Sequence, residues 1–183
     1  VLAYAFTRSR GQVLWRSLYW LPMVTNVVAV AYIWRFMMDD RYGIINRALG
    51  LVGLGAPGWL TNPSLAMTSV VLVFVWMQLG QNMLLFSAGL SNIDESYYEA
   101  GRLDGATERQ LFVQITVPLL MPTTLFVLIT NFIAGLSYFA LMLALTDGTG
   151  GPLRSTTVTG LYMYQMAFSD LRMGRASAAA YIL

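Results

Sequence analysis

Long apolar stretches separated by short polar ones dominate the chain, and their lengths set the first expectation. A helix needs about 20 apolar residues to cross the ~30 Å hydrocarbon layer of a bilayer. Three runs reach that length, at residues 18–38, 65–90 and 117–145. Pro22 is tolerated near the start of the first, and Arg35 near its end is placed to snorkel outward toward Asp39. The third run is longer than one crossing requires. Pro118 and Pro122 predict that its first turns lie at the interface or are kinked. Residues 1–6 read as the tail of another span and 176–183 as the beginning of one, so three full and two partial spans are expected, from a longer membrane domain cut at both ends. Trp15, Tyr19, Trp20, Trp34 and Trp59 fall near span ends, where an aromatic belt sits, while Trp76 lies within a span.

Composition narrows the chemistry. Of 183 residues, 57% are hydrophobic and 11% charged, against about 25% charged in soluble domains. The expectation is an all-α, polytopic membrane domain of about five helices. The chain has no Cys, no His and no Lys. Disulfides, Cys or His zinc sites, and Ser-His, Cys-His or Ser-Lys catalysis are therefore excluded. No metal or cofactor is implied. The net charge of +2, on scattered Arg, gives no footprint for nucleic acid. All nine acidic residues sit in predicted loops or at span edges, which leaves no intramembrane carboxylate for a proton or sodium relay. Without Lys there is no phosphate-cradling G-x-x-x-x-G-K-[ST] loop, so if ATP drives this protein another polypeptide binds it. Orientation stays open, because the Arg residues divide evenly. Arg8, Arg10, Arg16, Arg102 and Arg109 lie on one side, and Arg41, Arg47, Arg154, Arg172 and Arg175 on the other. No repeat or linker marks a second soluble domain.

The polar segment between the second and third runs, residues 88–118, carries the most structured pattern. Ser96 with Glu99 three residues on fits a capping box and predicts a short helix from about Tyr97. Tyr97, Tyr98, Ala100, Leu103 and Ala106 then recur at roughly helical spacing, and Gly105 offers a turn into a second helix. Pattern alone fits an amphipathic connector resting on the membrane surface as well as a docking element.

At these residues the sequence resembles the inner-membrane permeases of binding-protein-dependent (type I) ABC importers, in particular the maltose-type sugar branch. The family signature of Glu-Ala-Ala, Asp-Gly-Ala, an aromatic, Ile and Leu-Pro appears as Glu99-Ala100-Gly101, Asp104-Gly105-Ala106, Phe112, Ile115 and Val117-Pro118. The likeness extends through Tyr19 to Pro22, Gly43 to Asn46, Trp59 to Pro63, Ala88 to Leu90, Leu145-Thr146, Gly150 to Pro152 and Ser155-Thr156, so it covers nearly the whole chain. Three departures stand out. Gly101 replaces the second Ala, Asp94 stands where Pro is usual, and Asp147 to Thr149 lengthens the usual Thr-x-Gly-Gly-Pro turn. Gly101 is expected to loosen the helix by up to ~1 kcal/mol.

The resemblance implies a role for the loop. It makes residues 91–116 a cytoplasmic coupling loop that docks on an ATPase subunit through Glu99, Ala100, Gly101, Asp104, Gly105 and Ala106. Loops 39–64 and 146–175 then face outward. The implied assembly holds a second permease, making a heterodimer or a homodimer, with two ATPase subunits and an extracytoplasmic solute-binding protein. The protein itself would be no enzyme, and would lie as a multi-pass protein in the bacterial cytoplasmic membrane.

Uncharged polar residues inside the runs form the other candidate site. Gln78, Gln81 and Asn82 fall in one, and Asn131, Ser137 and Tyr138 in another. They either hold helices together or line a path for a solute. Neutral amides and a phenol suit a sugar or polyol, and no Arg deep in a span offers to hold an anion. Residues 161–168 are rich in Met and aromatics but too short to cross, and are expected to pack as an outward-side helix, with docking of the solute-binding protein as an alternative role. A secondary carrier or channel would also be multispanning. It would not account for the pattern from Glu99 to Pro118.

Overall fold

The computed structural model describes Pro22 and residues 25–182, and every regular element among them is helical. The helices are α1 (Val27–Met37), α2 (Ile44–Leu51), α3 (Pro63–Ser91), α4 (Glu95–Leu103) and α5 (Glu108–Leu119), the last carrying a π-helical turn at Phe112–Thr116. After them come α6 (Met121–Ser137), α7 (Phe139–Leu145), α8 (Thr159–Tyr164) with a π-turn at Gln165–Ser169, and α9 (Met173–Ile182). The chain divides into two compact units whose boundaries fall inside α3 and α6. Among the described residues, Pro22 and 78–132 belong to the first, and 25–77 with 133–182 to the second.

Among the described residues of the three expected spans, α3 alone is a single helix long and apolar enough to cross a membrane, and its apolar residues are spread around the helix. Asn62 starts it, its Oδ1 accepting from the Ser64 amide at 3.0 Å, with Pro63 in the first turn, where the missing N–H costs nothing. Within the first span α1 covers Val27–Met37, its N-cap Asn26 accepting from the Val28 amide at 2.8 Å. Residues 18–21, 23 and 24 of that span and the candidate partial span at 1–6 lie outside the described residues.

The third span is broken near both ends, the first as expected and the second not. Pro122 cannot donate to the Pro118 carbonyl, the chain bends by 59° between α5 and α6, and Leu120 sits at the break. This is the kink that the prolines predict. At the far end the apolar run predicts helix through residue 145, but helix stops at Ser137. Tyr138 takes φ −79° and ψ 61° before α7 begins. Gly160 explains the close packing there, because a Cβ on it would lie 2.8 Å from the Ser137 carbonyl oxygen.

The second unit holds the apolar core, with Val30, Ala31, Met38, Val70, Val73, Leu141, Leu145 and Leu161 buried together. Trp34 meets Trp76 edge-on at 5.5 Å, and Phe139 stacks on Tyr164 at 5.4 Å. The loop between α1 and α3 is organised by one buried side chain. Asn46 reaches the carbonyls of Asp39 and Pro57 at 3.4 and 3.3 Å, and its own oxygen accepts from the Trp59 indole at 2.8 Å. Gly43 makes room for this wrap, since a Cβ there would collide with the Asp39 carbonyl and lie 2.6 Å from that of Met37. Arg35 pairs through both terminal guanidinium nitrogens, Nη1 and Nη2, with Asp147, not with Asp39 as expected. The Asp39 carboxylate is committed to its own turn, where it accepts from the Arg41 and Tyr42 amides at 2.9 and 2.7 Å. The Met- and aromatic-rich run at 161–168 forms α8 and its π-turn, and Gln165 donates to the Gly148 carbonyl at 2.6 Å.

Candidate functional site

The polar segment of the first unit folds as a helical hairpin, α4 and α5, turned at Gly105. Its start differs from the expected capping box. Asp94, one of the departures from the family pattern, is the N-cap, accepting from the Ser96 amide at 2.9 Å, so the helix begins at Glu95. That hydrogen bond holds the Asp94 carboxyl below its ordinary range. A short acidic acceptor two residues before a free amide outcompetes Ser96, which would shorten the helix. A complete capping box does occur at the start of α5. Thr107 Oγ1 accepts from the Gln110 amide at 3.4 Å while Gln110 Oε1 accepts from the Thr107 amide at 2.8 Å.

Between the two caps, Asp104 closes α4 and Gly105 takes φ +80°, the left-handed conformation that glycine adopts without strain. Ala106 donates to the Gly101 carbonyl at 2.9 Å. Gly101 also has a packing reason beyond its expected loosening of the helix. A Cβ there would lie 2.5 Å from Leu111 Cδ2 and 3.2 Å from Ile115 Cδ1, so the glycine lets α4 settle on α5. Arg102 reaches Glu108 at 3.6 Å. Ala100, Gly101, Asp104, Gly105 and Ala106 border a hollow of about 450 Å³ that Tyr97 and Gln110 also line. Glu99 and Leu103 are exposed, Leu103 at 89%. An uncovered helix face of this kind is suited to a groove on another protein.

Three of the in-span polar residues are joined to one another in the same unit. Asn131 Nδ2 donates to Asn82 Oδ1 at 2.9 Å and to the Val127 carbonyl at 2.7 Å. Gln78 Nε2 and Asn82 Nδ2 approach Asn131 Oδ1 at 3.2 and 3.4 Å. Gln81 is exposed on the flank of α3. Ser137 and Tyr138 belong to the second unit, at the helix break. There the Tyr138 ring meets Phe74 edge-on at 5.5 Å, and Ser137 is exposed.

Two contacts have no counterpart in the sequence pattern: the Tyr98 hydroxyl bonded to Thr116 at 2.9 Å, and the Asn46 hub. Both join residues that no helical period relates. A hydroxyl at a position that otherwise reads as apolar is the one available signal for the first.

Comparison with known proteins places this geometry. The chain is 39% identical over 177 residues to the probable ABC transporter permease protein YesP of Bacillus subtilis, covering 96% of this chain and 57% of that protein. It is 35% identical to the lactose transport system permease protein LacF of Rhizobium radiobacter, covering 93% of this chain and 58% of that one. The chain thus spans somewhat more than half the length of these relatives. Its fold matches a chain in the crystal structure of a bacterial ABC transporter involved in the import of the acidic polysaccharide alginate, with TM-score 0.80 and 22% identity, over 99% of this chain and 64% of the other. A structure of the alginate transporter with its alginate pentasaccharide-bound periplasmic protein matches equally well. The chain matches the family described as the binding-protein-dependent transport system inner membrane component over residues 1–183, and it belongs to that family.

Proposed function

We propose that the protein is a permease subunit of an ABC importer that moves a sugar or related polyol inward across the bacterial cytoplasmic membrane. In this reading it is a multi-pass protein paired with a second permease, fed by an extracytoplasmic solute-binding protein and driven by two separate ATPase subunits. The hairpin α4–α5 carries the proposal. It is a capped polar hairpin whose outer face leaves Glu99 and Leu103 exposed, which supports docking in a groove of a soluble motor. Residues 91–116 are then cytoplasmic, and loops 39–64 and 146–175 face outward.

The solute class is supported by the relatives' names and by this chain's own polar groups. LacF is named for lactose and the structural relative for alginate. This chain's in-span polar groups are neutral amides, a hydroxyl and a phenol, which pair with sugar hydroxyls without fixed charge. Gln78, Asn82 and Asn131 satisfy one another, which supports a role in holding helices. Gln81, Ser137 and Tyr138 remain the better candidates to meet a solute.

Co-purification tests the function. The full-length protein, extracted in mild detergent, should bring down an ATPase subunit and a second permease, and the reconstituted assembly should hydrolyse ATP faster with a sugar-loaded binding protein. A protein that purifies without an ATPase and moves solute on an ion gradient would be a secondary carrier instead.

A further inference from the structure

The hairpin that the proposed function assigns to coupling contains one buried hydroxyl contact between its two helices. Thr116 is fully buried, and its hydroxyl lies 2.9 Å from the Tyr98 hydroxyl. Thr116 Oγ1 is also 3.5 Å from the Leu111 carbonyl, so it can donate there while accepting from Tyr98. Thr116 closes the π-turn Phe112–Thr116. Such a turn holds one residue more than an α-turn and rotates the facing of the helix beyond it, and it occurs mostly at functional places.

The contacts of the hairpin form a ladder. Arg102 and Glu108 pair near the Gly105 turn, Gly101 packs on Leu111 and Ile115 in the middle, and Tyr98 bonds Thr116 at the open end. Tyr98, Gly101 and Arg102 stand on one face of α4, at spacings of three and four residues, while Glu99 and Leu103 look away from α5. A push received on that outer face reaches α5 through the ladder. The middle rung is apolar and can slide, and the ion pair near the turn is exposed. The open end is where two helices joined by a glycine turn would splay.

We infer that Tyr98 and Thr116 are positioning residues that lock α4 to α5, so that the hairpin moves as one lever and the displacement passes through Leu119 to the bend before α6. The inference rests on the coupling role proposed above. The lock has one oxygen on each side, and it is removed without altering the surface offered to the partner.

The test uses the full-length permease assembled with its partner permease and ATPases in proteoliposomes, with solute moved per ATP hydrolysed as the readout. Tyr98→Phe and Thr116→Val should each capture ATPase as the wild type does, yet lower that ratio roughly two- to tenfold, the range for one lost buried hydrogen bond. Thr116→Ser keeps the hydroxyl and should retain the ratio. The double variant should be no worse than either single one. An unchanged ratio in an intact Tyr98→Phe complex overturns the inference, as does a double variant whose loss is the product of the two single losses. Should Thr116→Val fail to assemble, Tyr98→Phe decides alone. A wild-type protein that captures no ATPase overturns the functional reading and this inference together, whereas an intact, transporting complex insensitive to Tyr98→Phe overturns the inference only.

Discussion

The hairpin α4–α5 and the loop 39–62 are both polar insertions between apolar helices, and they are stabilised in opposite ways. The hairpin relies on local devices. Asp94 caps one helix, a Thr107–Gln110 box caps the next, Gly105 makes the turn, and no residue of α4 is buried. The loop relies on a buried hub, where Asn46 satisfies two backbone carbonyls and the Trp59 indole, and Gly43 is too crowded for any side chain. A segment proposed to offer a face to a partner leaves that face open, so its shape comes from caps, a turn and the pairing of its own two helices. A segment that only closes on itself can use its polar groups internally. Substitutions should therefore separate the two regions, the hairpin losing output and the loop losing stability.

Gly105→Val gives the largest expected separation. A β-branched residue at φ +80° is strained by roughly 1–3 kcal/mol, although the space around Gly105 is open. The turn should rearrange, and solute uptake should fall to background while the protein still inserts and purifies. Gly105→Asn, which tolerates the left-handed region, should retain most uptake. Normal uptake by Gly105→Val would remove the role given to this turn.

On the other side of the comparison, Gly43→Ala and Asn46→Ala should act on stability. The first forces a methyl against two backbone carbonyls, an overpacking of about 1–3 kcal/mol. The second leaves the Trp59 N–H and two carbonyls short of a partner, also about 1–3 kcal/mol. Thermal unfolding in detergent should show lower midpoints for both, with the solute moved per ATP unchanged in whatever complex assembles. A fall in that ratio at wild-type stability would erase the distinction between the two regions.

The same contrast explains what the sequence makes legible. The hairpin is visible from Ser96, Glu99 and Gly105 because turns and caps are written within a few residues of where they act, and Asp104 and Pro118 are added by the family resemblance. Even there the sequence points to Ser96 where Asp94 is the cap, since two overlapping caps compete and only geometry shows which amide is reached. Proximity along the chain points Arg35 to Asp39, four residues away, whereas its partner Asp147 is 112 residues away. The neighbouring carboxylate is already taken by its own turn. The break at Tyr138 carries no proline, and depends on Gly160 meeting the Ser137 carbonyl, which no local pattern encodes. Gly43 to Asn46 and Trp59 to Pro63 stand out only through the family resemblance, and the structure supplies the reason that Asn46 and Trp59 belong together.

The amides offer a finer test within the unit that holds the hairpin. Asn131→Ala removes the centre of a bonded trio and should cost about 0.6–1.7 kcal/mol of stability, the range for polar contacts between membrane helices. Gln81→Ala removes an exposed amide, and should leave stability alone but shift uptake among competing sugars several-fold, through a lost bond of ~0.5–1.5 kcal/mol to the solute. Uptake of several sugars by Gln78, Gln81, Asn82 and Asn131 single Ala variants, normalised to assembled complex, distinguishes the roles. Unchanged preference at all four would assign them to helix packing and leave Ser137 and Tyr138 as this chain's candidates for the solute.

The smallest effect should come from the Arg35–Asp147 pair, and it sharpens the comparison because this long-range contact of the second unit lies in the open. The hydrogen bonds from Arg35 hold the Asp147 carboxyl below its ordinary value. A depressed carboxylate stabilises the folded state fully above its unfolded value of ~3.9 and loses that contribution as the pH falls through the lower folded value. Both side chains are well exposed, at 39% and 58%, so solvent and salt screen them. The contribution should be within ~0–1 kcal/mol near neutral pH and smaller still at high ionic strength. Asp147→Asn should thus lower the unfolding midpoint slightly at neutral pH in low salt. The gap to the wild type should close below about pH 4 and also in concentrated salt. Because Asn tolerates φ 50° as Asp does, a gap that persists in acid would mean that the hydrogen bonds to Arg35 matter more than the charge. In that case the loop after α7 would still be held by a distant partner, unlike the hairpin, but through hydrogen bonds that salt does not screen.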